Sequence, residues 1–215
     1  MSKTEYEHPM TSIKLEFDKK NADILIWRGQ IVMSRTEEPY FKALFSRLAY
    51  LKPYSVLEIG FGLGISAGLI QKYMSPQLHD IYEIERSIYT DLERFAEEHP
   101  SVRPHLGDWK RCSITQQYDF IFFDPFHYSV EETLDEDVSH EEWSTARAEN
   151  AERMRGLLSE RGILCHPHFG DGEVPDLPGF TTTIVERLKV SSIRMSDETS
   201  CEDAAVVFHQ PIRNV

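Results

Sequence analysis

The chain has 215 residues, of which 36 are acidic and 23 are basic, so its formal net charge at pH 7 is -13. This length suits one domain with a proper hydrophobic core. The negative field repels phosphate backbones and the basic residues are scattered, so the composition argues against a nucleic-acid partner. The three cysteines have no metal-ligand spacing, and no apolar run reaches about 18 residues, so we expect a cytoplasmic protein with no membrane partner.

Residues 1–32 are polar and weakly patterned, with one apolar run, ADILIWRGQIVM. A lid or arm over the active site and a ragged terminus fit this pattern equally well. The following segment, EEPYFKALFSRLAYL, has Tyr40, Leu44 and Leu48 at helical spacing behind a proline. Acids followed by proline favour a helix start, so we divide the chain into an arm, 1–32, and one domain, 33–215.

Short apolar runs then alternate with segments of helical period. We predict strands over 55–60, 79–84, 102–107, 118–124 and 162–169, and helices over 64–73, 86–98, 141–158 and 178–189. Strands that alternate with helices form crossover units and therefore a parallel sheet. The last runs, 190–195 and 204–210, leave no room for a crossover helix and predict an antiparallel hairpin at the sheet edge. The predicted fold is α/β, Rossmann-like and doubly wound.

Three glycines follow the first of these strands. In VLEIGFGLGIS, Gly60, Gly62 and Gly64 lie between strand and helix, where glycine allows a tight turn and close approach of the backbone to a ligand. The spacing is Gly-x-Gly-x-Gly and not the Gly-x-Gly-x-x-Gly of dinucleotide-binding enzymes. It therefore favours S-adenosylmethionine, an adenosine with a sulfonium tail, over a pyrophosphate ligand.

Acidic residues accompany the first three of these strands. Glu58 lies inside the first strand, where a purely structural strand would prefer an apolar residue. Glu83 ends the second strand about 20 residues after the glycines, where a carboxylate can bind the ribose hydroxyls of either NAD or S-adenosylmethionine. Glu85 competes for that role. Asp108 and Trp109 end the third strand and suit an adenine, although Trp109 would also suit a structural place at the top of the sheet.

The fourth strand ends in YDFIFFDPF, with Asp124 as its last acid. Asp-Pro-aromatic resembles the Asp-Pro-Pro-Tyr signature of enzymes that methylate exocyclic amines of DNA bases. A lone carboxylate at a strand end would equally bind a cationic substrate. The second proline and a basic groove are missing, so the second interpretation is favoured.

Three histidines, His127, His166 and His168, are predicted to lie on loops at the same sheet edge. Neither an acid nor a cysteine completes a ligand set with them. We therefore predict no metal.

Taken in order, these motifs resemble the guanidinoacetate N-methyltransferases and the related fungal-type arginine N-methyltransferases that modify the delta nitrogen. The resemblance begins at VMSRTEEPY and continues through VLEIGFGLGI, IYEIE, GDW and FFDPF, over about residues 30–210. The first of these motifs is the specific part, because the glycine turn is common to all class I methyltransferases.

The resemblance implies an S-adenosylmethionine-dependent enzyme that methylates a small guanidino compound such as guanidinoacetate or arginine. By the same resemblance, Glu37 and Asp124 bind the guanidinium and take part in catalysis, and backbone groups of His168, Phe169 and Gly170 contact the guanidine. The cofactor contacts that it implies are Met33, Phe41, Gly60, Phe61, Gly62, Leu63, Gly64, Ile65, Ser66, Glu83, Asp108, Trp109 and Asp124.

Three positions depart from the family pattern and leave the substrate open. Thr36 replaces an aromatic residue, which could make room for a bulkier guanidine, and Pro125 stands where the family has threonine. Glu38 is an added acid that either binds a second cationic group or favours the helix start. A protein or peptide arginine and, less favoured, a nucleic-acid base amine are the alternative substrates, and both a monomer and a homodimer are compatible with the sequence.

Overall fold

A computed structural model of the protein describes residues 12–126, 140–195 and 199–213, with the side chains of 140–148 excepted. Its N-terminal part is a three-stranded antiparallel sheet in the order β1-β2-β3, formed by Lys19–Lys20, Ile24–Trp27 and Gln30–Ser34. The apolar run of the arm is therefore a hairpin, and its last strand continues through position 33. The proposed role of the arm as a lid stays a prediction.

The remaining elements alternate between helix and strand until the last two strands. They are α1 (Glu38–Leu48), β4 (Ser55–Ile59), α2 (Ile65–Tyr73), β5 (Leu78–Glu83), α3 (Arg86–Glu98), β6 (Val102–Leu106), β7 (Tyr118–Phe123), α4 (His140–Leu157), β8 (Leu158–Cys165), β9 (Phe180–Arg194) and β10 (Ser200–Pro211). Short 3-10 turns precede and follow α1. These bounds confirm the helices predicted over 64–73, 86–98 and 141–158.

The seven strands β4 to β10 form one sheet in the order β6-β5-β4-β7-β8-β10-β9. Neighbouring strands from β6 to β8 are parallel, whereas β10 is antiparallel to both β8 and β9. The α/β, doubly wound fold with an antiparallel pair at one side is therefore confirmed.

The helix predicted over 178–189 is wrong, because this segment is the first half of β9. It pairs with β10 from Phe180 opposite Pro211 to Arg194 opposite Ser200. The segment contains TTTIV and KV, and β-branched side chains lose rotamer freedom in a helix but pack well on a pleated surface. Pairing along nearly the whole of β10 therefore outweighs the helical spacing of the apolar residues in segment 178–189. The predicted hairpin exists, but its strands are longer than expected.

Apolar layers cover both faces of the central strands. On one face, Val56 and Phe120 belong to a core cluster that includes side chains of α1, α2 and α3. On the other face, Leu57 and Ile121 pack with Met154 of α4. The carboxyl ends of the parallel strands thus meet at one open edge, where ligands bind in sheets of this kind. None of the helices in the described ranges combines the length and the hydrophobicity that a bilayer crossing requires.

Candidate active site

The glycine turn, residues 60–64, connects β4 to α2 at the carboxyl edge of the sheet. Gly60, Gly62 and Gly64 have φ values of 91°, 54° and 69°, which favour glycine. A Cβ atom on Gly60 would lie 2.8 Å from the carbonyl oxygen of Asp124, and one on Gly62 would lie 2.6 Å from Sδ of Met33. The turn therefore needs glycine both for its conformation and for the close approach of its neighbours.

Two features of the turn bear on the predicted cofactor contacts. The amide of Leu63 donates to Sδ of Met33 over 3.1 Å, so Met33 lies directly on the turn. No described side chain caps α2, so the amide groups of its first turn remain available to an anion such as a carboxylate. Ile65 and Ser66 start this helix and are themselves buried.

Glu83 lies beneath the turn at the end of β5. Its Oε2 accepts a hydrogen bond from the amide of Phe61 over 3.0 Å, and its Oε1 accepts from the amide of Glu85 over 2.8 Å. Burial raises the pKa of Glu83, while the amides of Glu85, Phe61 and Gly62 oppose that rise. The side chain is thus fixed where it can accept further hydrogen bonds from hydroxyl groups above the turn.

Glu85, the competing ribose ligand, has a different function in the structure. Its Oε2 accepts hydrogen bonds from the amides of Ser87 and Ile88 and caps the start of α3. Its Oε1 accepts from the amide of Leu15 in the N-terminal arm. Glu85 is thus a helix cap that also contacts the arm, whereas Glu83 contacts the glycine turn itself, and this position favours Glu83 over Glu85 as the ribose ligand.

Glu37 ends the 3-10 turn that precedes α1 and is part of a capping box. Its Oε1 accepts a hydrogen bond from the amide of Ser34 over 2.7 Å, and the Ser34 hydroxyl accepts from the amide of Thr36. The side chain is buried, and burial raises the pKa of Glu37 to about 7, although the Ser34 amide opposes the rise. The pattern Ser-x-x-Glu, which the sequence contains as SRTE, is the local signal for this motif.

Asp124 follows β7 and lies next to the turn. Its amide donates to the carbonyl of Ile59 over 3.2 Å. The residue keeps some accessible surface, but its carboxyl group is surrounded by protein atoms. Burial, followed by the negative charges of Glu37 and Glu58, raises the pKa of Asp124 well above its usual range. The structure therefore brings the two predicted catalytic carboxyls within electrostatic range of each other.

Tyr40 connects α1 to the loop after β8, a link that sequence reasoning missed. Its buried hydroxyl donates to the carbonyl of Ala205 and accepts from the amide of His168, both over 3.0 Å. The ring of Phe169 packs edge-on against Tyr40 at 4.9 Å, and the amide of Gly170 donates to a carbonyl of β10. Tyr40, which follows Glu37 by three residues, thus holds segment 168–170 beside the start of α1. The sequence signal for this link is the tyrosine of the EEPY motif.

Phe41 and Trp109 are among the predicted cofactor contacts that lie in the core. Phe41 is fully buried, and its ring packs edge-on against Phe122 at 5.8 Å. Trp109 is 6% exposed and packs edge-on against Phe123 at 5.6 Å. By contrast, the side chain of Asp108 is 25% exposed, so it is the accessible member of the pair at the end of β6.

The departures from the family pattern have local structural explanations at two positions. The hydroxyl of Thr36 accepts a hydrogen bond from the amide of Arg194 over 3.1 Å, which docks the turn before α1 onto β9. Glu38 forms an ion pair with Arg35 at 2.9 Å. These contacts favour the interpretation of Glu38 as a residue of the helix start. Pro125 is exposed, and nothing in the structure explains it.

Of the three histidines, His127 lies outside the described residues. Nε2 of His166 lies 2.9 Å from Nε2 of His209. Within the described ranges, no group of three or more His, Cys, Asp or Glu side chains could hold a metal ion.

Two sequence comparisons bear on this site. The sequence model of the guanidinoacetate N-methyltransferase family matches residues 3–168. Protein arginine N-methyltransferase 2 of Emericella nidulans is 29% identical over 108 residues, which are 50% of this chain and 23% of that protein. The chain therefore matches less than a quarter of the length of this relative.

Two solved structures share the fold. The O-methyltransferase TomG from Streptomyces achromogenes, solved in complex with SAM, has a TM-score of 0.51 and 15% identity, over 81% of this chain and 80% of that chain. The ribosomal protein L11 methylase from Lactobacillus delbrueckii subsp. bulgaricus has a TM-score of 0.52 and 13% identity, over 84% and 81% of the two chains. At such identities the likeness shows the fold alone.

Proposed function

The chain belongs to the guanidinoacetate N-methyltransferase family, and from that premise we propose that it methylates a guanidino nitrogen of a small molecule with S-adenosylmethionine as the donor. Guanidinoacetate, arginine and related guanidino compounds are the candidate substrates. One observation carries the proposal: two buried carboxyl groups, Glu37 and Asp124, interact electrostatically beside the glycine turn.

A guanidinium needs such a pair for a chemical reason. Its pKa is above about 12, so at cellular pH it is a cation without a nucleophilic lone pair. The methyl donor is also a cation, and two cations in a cleft with little water repel each other unless anions compensate. Two carboxylates provide that compensation, and they fix a planar cation through paired hydrogen bonds.

The raised pKa values of Glu37 and Asp124 fit this task. Without a cation both carboxyls keep their protons to higher pH than usual, because burial raises the pKa of each and the charges of Glu37 and Glu58 raise the pKa of Asp124 further. A guanidinium between them reverses that preference, so each group ionises as the substrate binds. Holding the attacking nitrogen in line with the methyl group supplies several kcal/mol of the rate acceleration.

S-Adenosylmethionine, when bound, supplies an electrophilic methyl group on a sulfonium. The bond from nitrogen to the methyl carbon forms as the bond from sulfur to that carbon breaks, and sulfur retains the electron pair. One of the two carboxylates takes a proton from that nitrogen as the bond forms, which frees the lone pair that attacks the methyl carbon. We assign this base role to Asp124, whose carboxyl group is the more deeply buried of the two.

The residues around the turn suit the donor. The uncapped start of α2 offers amide donors to the methionine carboxylate, and Glu83 lies where it can accept from the ribose hydroxyls. Asp108 is accessible for the exocyclic amine of adenine. Met33, which contacts the turn and precedes Glu37 by four residues, would border both ligands.

The test is a substrate panel with product detection by mass spectrometry. The purified protein is incubated with S-adenosylmethionine and, separately, guanidinoacetate, arginine, other guanidino metabolites, arginine peptides and DNA. We expect a methylated small guanidino compound, no turnover by Glu37→Gln, and near-normal turnover by the matched control Glu38→Gln. Methylation of DNA alone would refute the proposal.

A protein or peptide arginine is the second candidate substrate, favoured by the partial match to protein arginine N-methyltransferase 2. The same two carboxyls would bind its side chain, because the guanidinium group is identical. The net charge of -13 would also attract basic segments. Preferential methylation of the peptides in the panel would establish this alternative over the small-molecule reaction.

A further inference from the structure

A buried polar chain lies directly beneath the glycine turn. Glu58 of β4 and His79 of β5 are both 0% exposed, and Oε2 of Glu58 lies 2.9 Å from Nε2 of His79. The imidazole N–H is not aligned for a linear hydrogen bond, and neither atom has another hydrogen-bond partner among the described residues. The other oxygen of Glu58 accepts from the hydroxyl of Ser66, in the first turn of α2.

The contacts on the far side of the ring identify its tautomer. The hydroxyl of Ser101 donates to Oε1 of Gln71 over 3.0 Å, which turns the amide nitrogen of Gln71 toward Nδ1 of His79, also at 3.0 Å. With the Gln71 amide in this orientation its nitrogen donates, so Nδ1 accepts and the ring proton is assigned to Nε2, which faces Glu58.

This arrangement gives Glu58 a defined orientation in the core. Burying a carboxylate without hydrogen-bond donors has a high free-energy cost, so the group is oriented toward donors that lie within reach. His79 and Ser66 contact its two oxygens from opposite elements, β5 and α2. Glu58 therefore ties the first turn of α2 to the centre of the sheet, two residues before Gly60.

We propose that His79 is a positioning residue for cofactor binding: through Glu58 and Ser66 it holds the start of α2 in the orientation that binds the methionine end of S-adenosylmethionine. The inference rests on the proposed function. It assigns His79 no contact with the cofactor. The adenosine end binds elsewhere, at Glu83 and Asp108, so it should not depend on this chain of contacts.

The experiment compares two ligands on each variant by isothermal titration calorimetry. S-Adenosylmethionine carries the methionine end, and adenosine lacks it and serves as the internal control. His79→Leu removes the donor to Glu58, while His79→Gln keeps a neutral N–H donor of similar reach. Ser66→Ala breaks the chain at its other end. Thermal melts verify that each variant is folded at the titration temperature.

We expect His79→Leu and Ser66→Ala to weaken S-adenosylmethionine binding by about tenfold, the loss typical of one buried polar contact, and adenosine binding by less than about twofold. His79→Gln should restore most of the affinity. In the double variant His79→Leu/Ser66→Ala the losses should not add, because both act through Glu58.

Equal losses for both ligands, or no loss for either, would overturn the inference. If His79→Leu does not fold, Ser66→Ala and His79→Gln still decide the question by the same comparison. A separate arm is the nitrogen-15 spectrum of the imidazole, which should report the neutral tautomer protonated at Nε2; the opposite tautomer would contradict the proposed contact. Wild-type protein that binds adenosine but not S-adenosylmethionine would instead refute the proposed function, and this inference with it.

Discussion

Burial, followed by the negative charge of Glu37, raises the pKa of Asp124, although 86 residues lie between the two in sequence. Glu37 precedes a helix on one face of the sheet, and Asp124 follows a strand at its centre. Because burial raises the pKa of both groups, the free site tends to hold protons, which a guanidinium would displace under the proposed function. The protonation of this pair therefore links substrate binding, pH and folding stability.

We expect guanidine binding to release protons and to strengthen as pH rises. Burial raises the pKa of Glu37 to about 7, so at pH 6 the group must first ionise, whereas at pH 8 it is already charged. Each proton released weakens binding by up to about tenfold per pH unit below that pKa. Calorimetry of the substrate in buffers with different ionisation enthalpies measures the proton count. Glu37→Gln should lower it, and an unchanged count would contradict the role of Glu37.

We also expect Glu37 to make the free protein less stable at alkaline pH. In the folded protein the pKa of Glu37 is about 7, above the ordinary value of 4.5. The contribution of this carboxyl to the free energy of unfolding is therefore fully present below pH 4.5 and is lost as pH rises through 7. The shift corresponds to about 3 kcal/mol in the free energy of unfolding. Urea unfolding should show Glu37→Gln to be more stable than wild type at pH 8. The exposed neighbour provides the control, because Glu38→Gln should leave the pH dependence intact.

Tyr40→Phe should impair substrate binding more than cofactor binding. The substitution removes the hydroxyl that joins the Ala205 carbonyl to the His168 amide and leaves both groups without this partner. We expect a loss of about 1–3 kcal/mol in unfolding free energy and a higher KM for the guanidine, with the KM for S-adenosylmethionine little changed. Tyr118→Phe is the matched control, since its hydroxyl binds Asp80. If Tyr118→Phe raised the guanidine KM by a similar factor, Tyr40 would have no specific role in substrate binding and would contribute to stability alone.

Gly60→Ala should abolish most of the activity while a neighbouring glycine tolerates the same change. An added methyl group would meet the Asp124 carbonyl at 2.8 Å and require a positive φ of 91°. Displacement of Asp124 by even about 1 Å costs on the order of 100-fold in turnover. Gly68 lies inside α2 with open space around it, so Gly68→Ala should keep activity and stabilise the helix by up to about 1 kcal/mol. Equal activity in both variants would exclude a steric role for Gly60.

The alternation of apolar runs and helical segments predicted most of the fold, because each parallel strand and its crossover helix carry their own local pattern. The first half of β9 was the exception. Whether this segment forms a helix or a strand depends on its pairing with β10, which follows after a turn. The spacing of the segment's own residues contains no information about that partner. A long antiparallel pairing thus overrides a weak helical period.

The site was predictable in a similar, partial way. The glycine turn is marked by its own local pattern, whereas Glu37 and Asp124 were predicted from the family resemblance, and their roles stay predictions. His79 and Tyr40 act through partners in distant segments, so no local pattern marks them. The core position of Trp109 could not be distinguished from a place over a ligand, because both need an aromatic residue at a strand end.

Glu37, which we propose to bind the substrate, also belongs to the capping box at Ser34. Glu37 accepts the Ser34 amide at the junction where β3 leaves the N-terminal sheet and α1 begins. An ionised acceptor forms a stronger hydrogen bond than a protonated one. Under the proposed function, a substrate cation that ionises Glu37 would strengthen this hydrogen bond and make the junction between the N-terminal sheet and α1 more rigid.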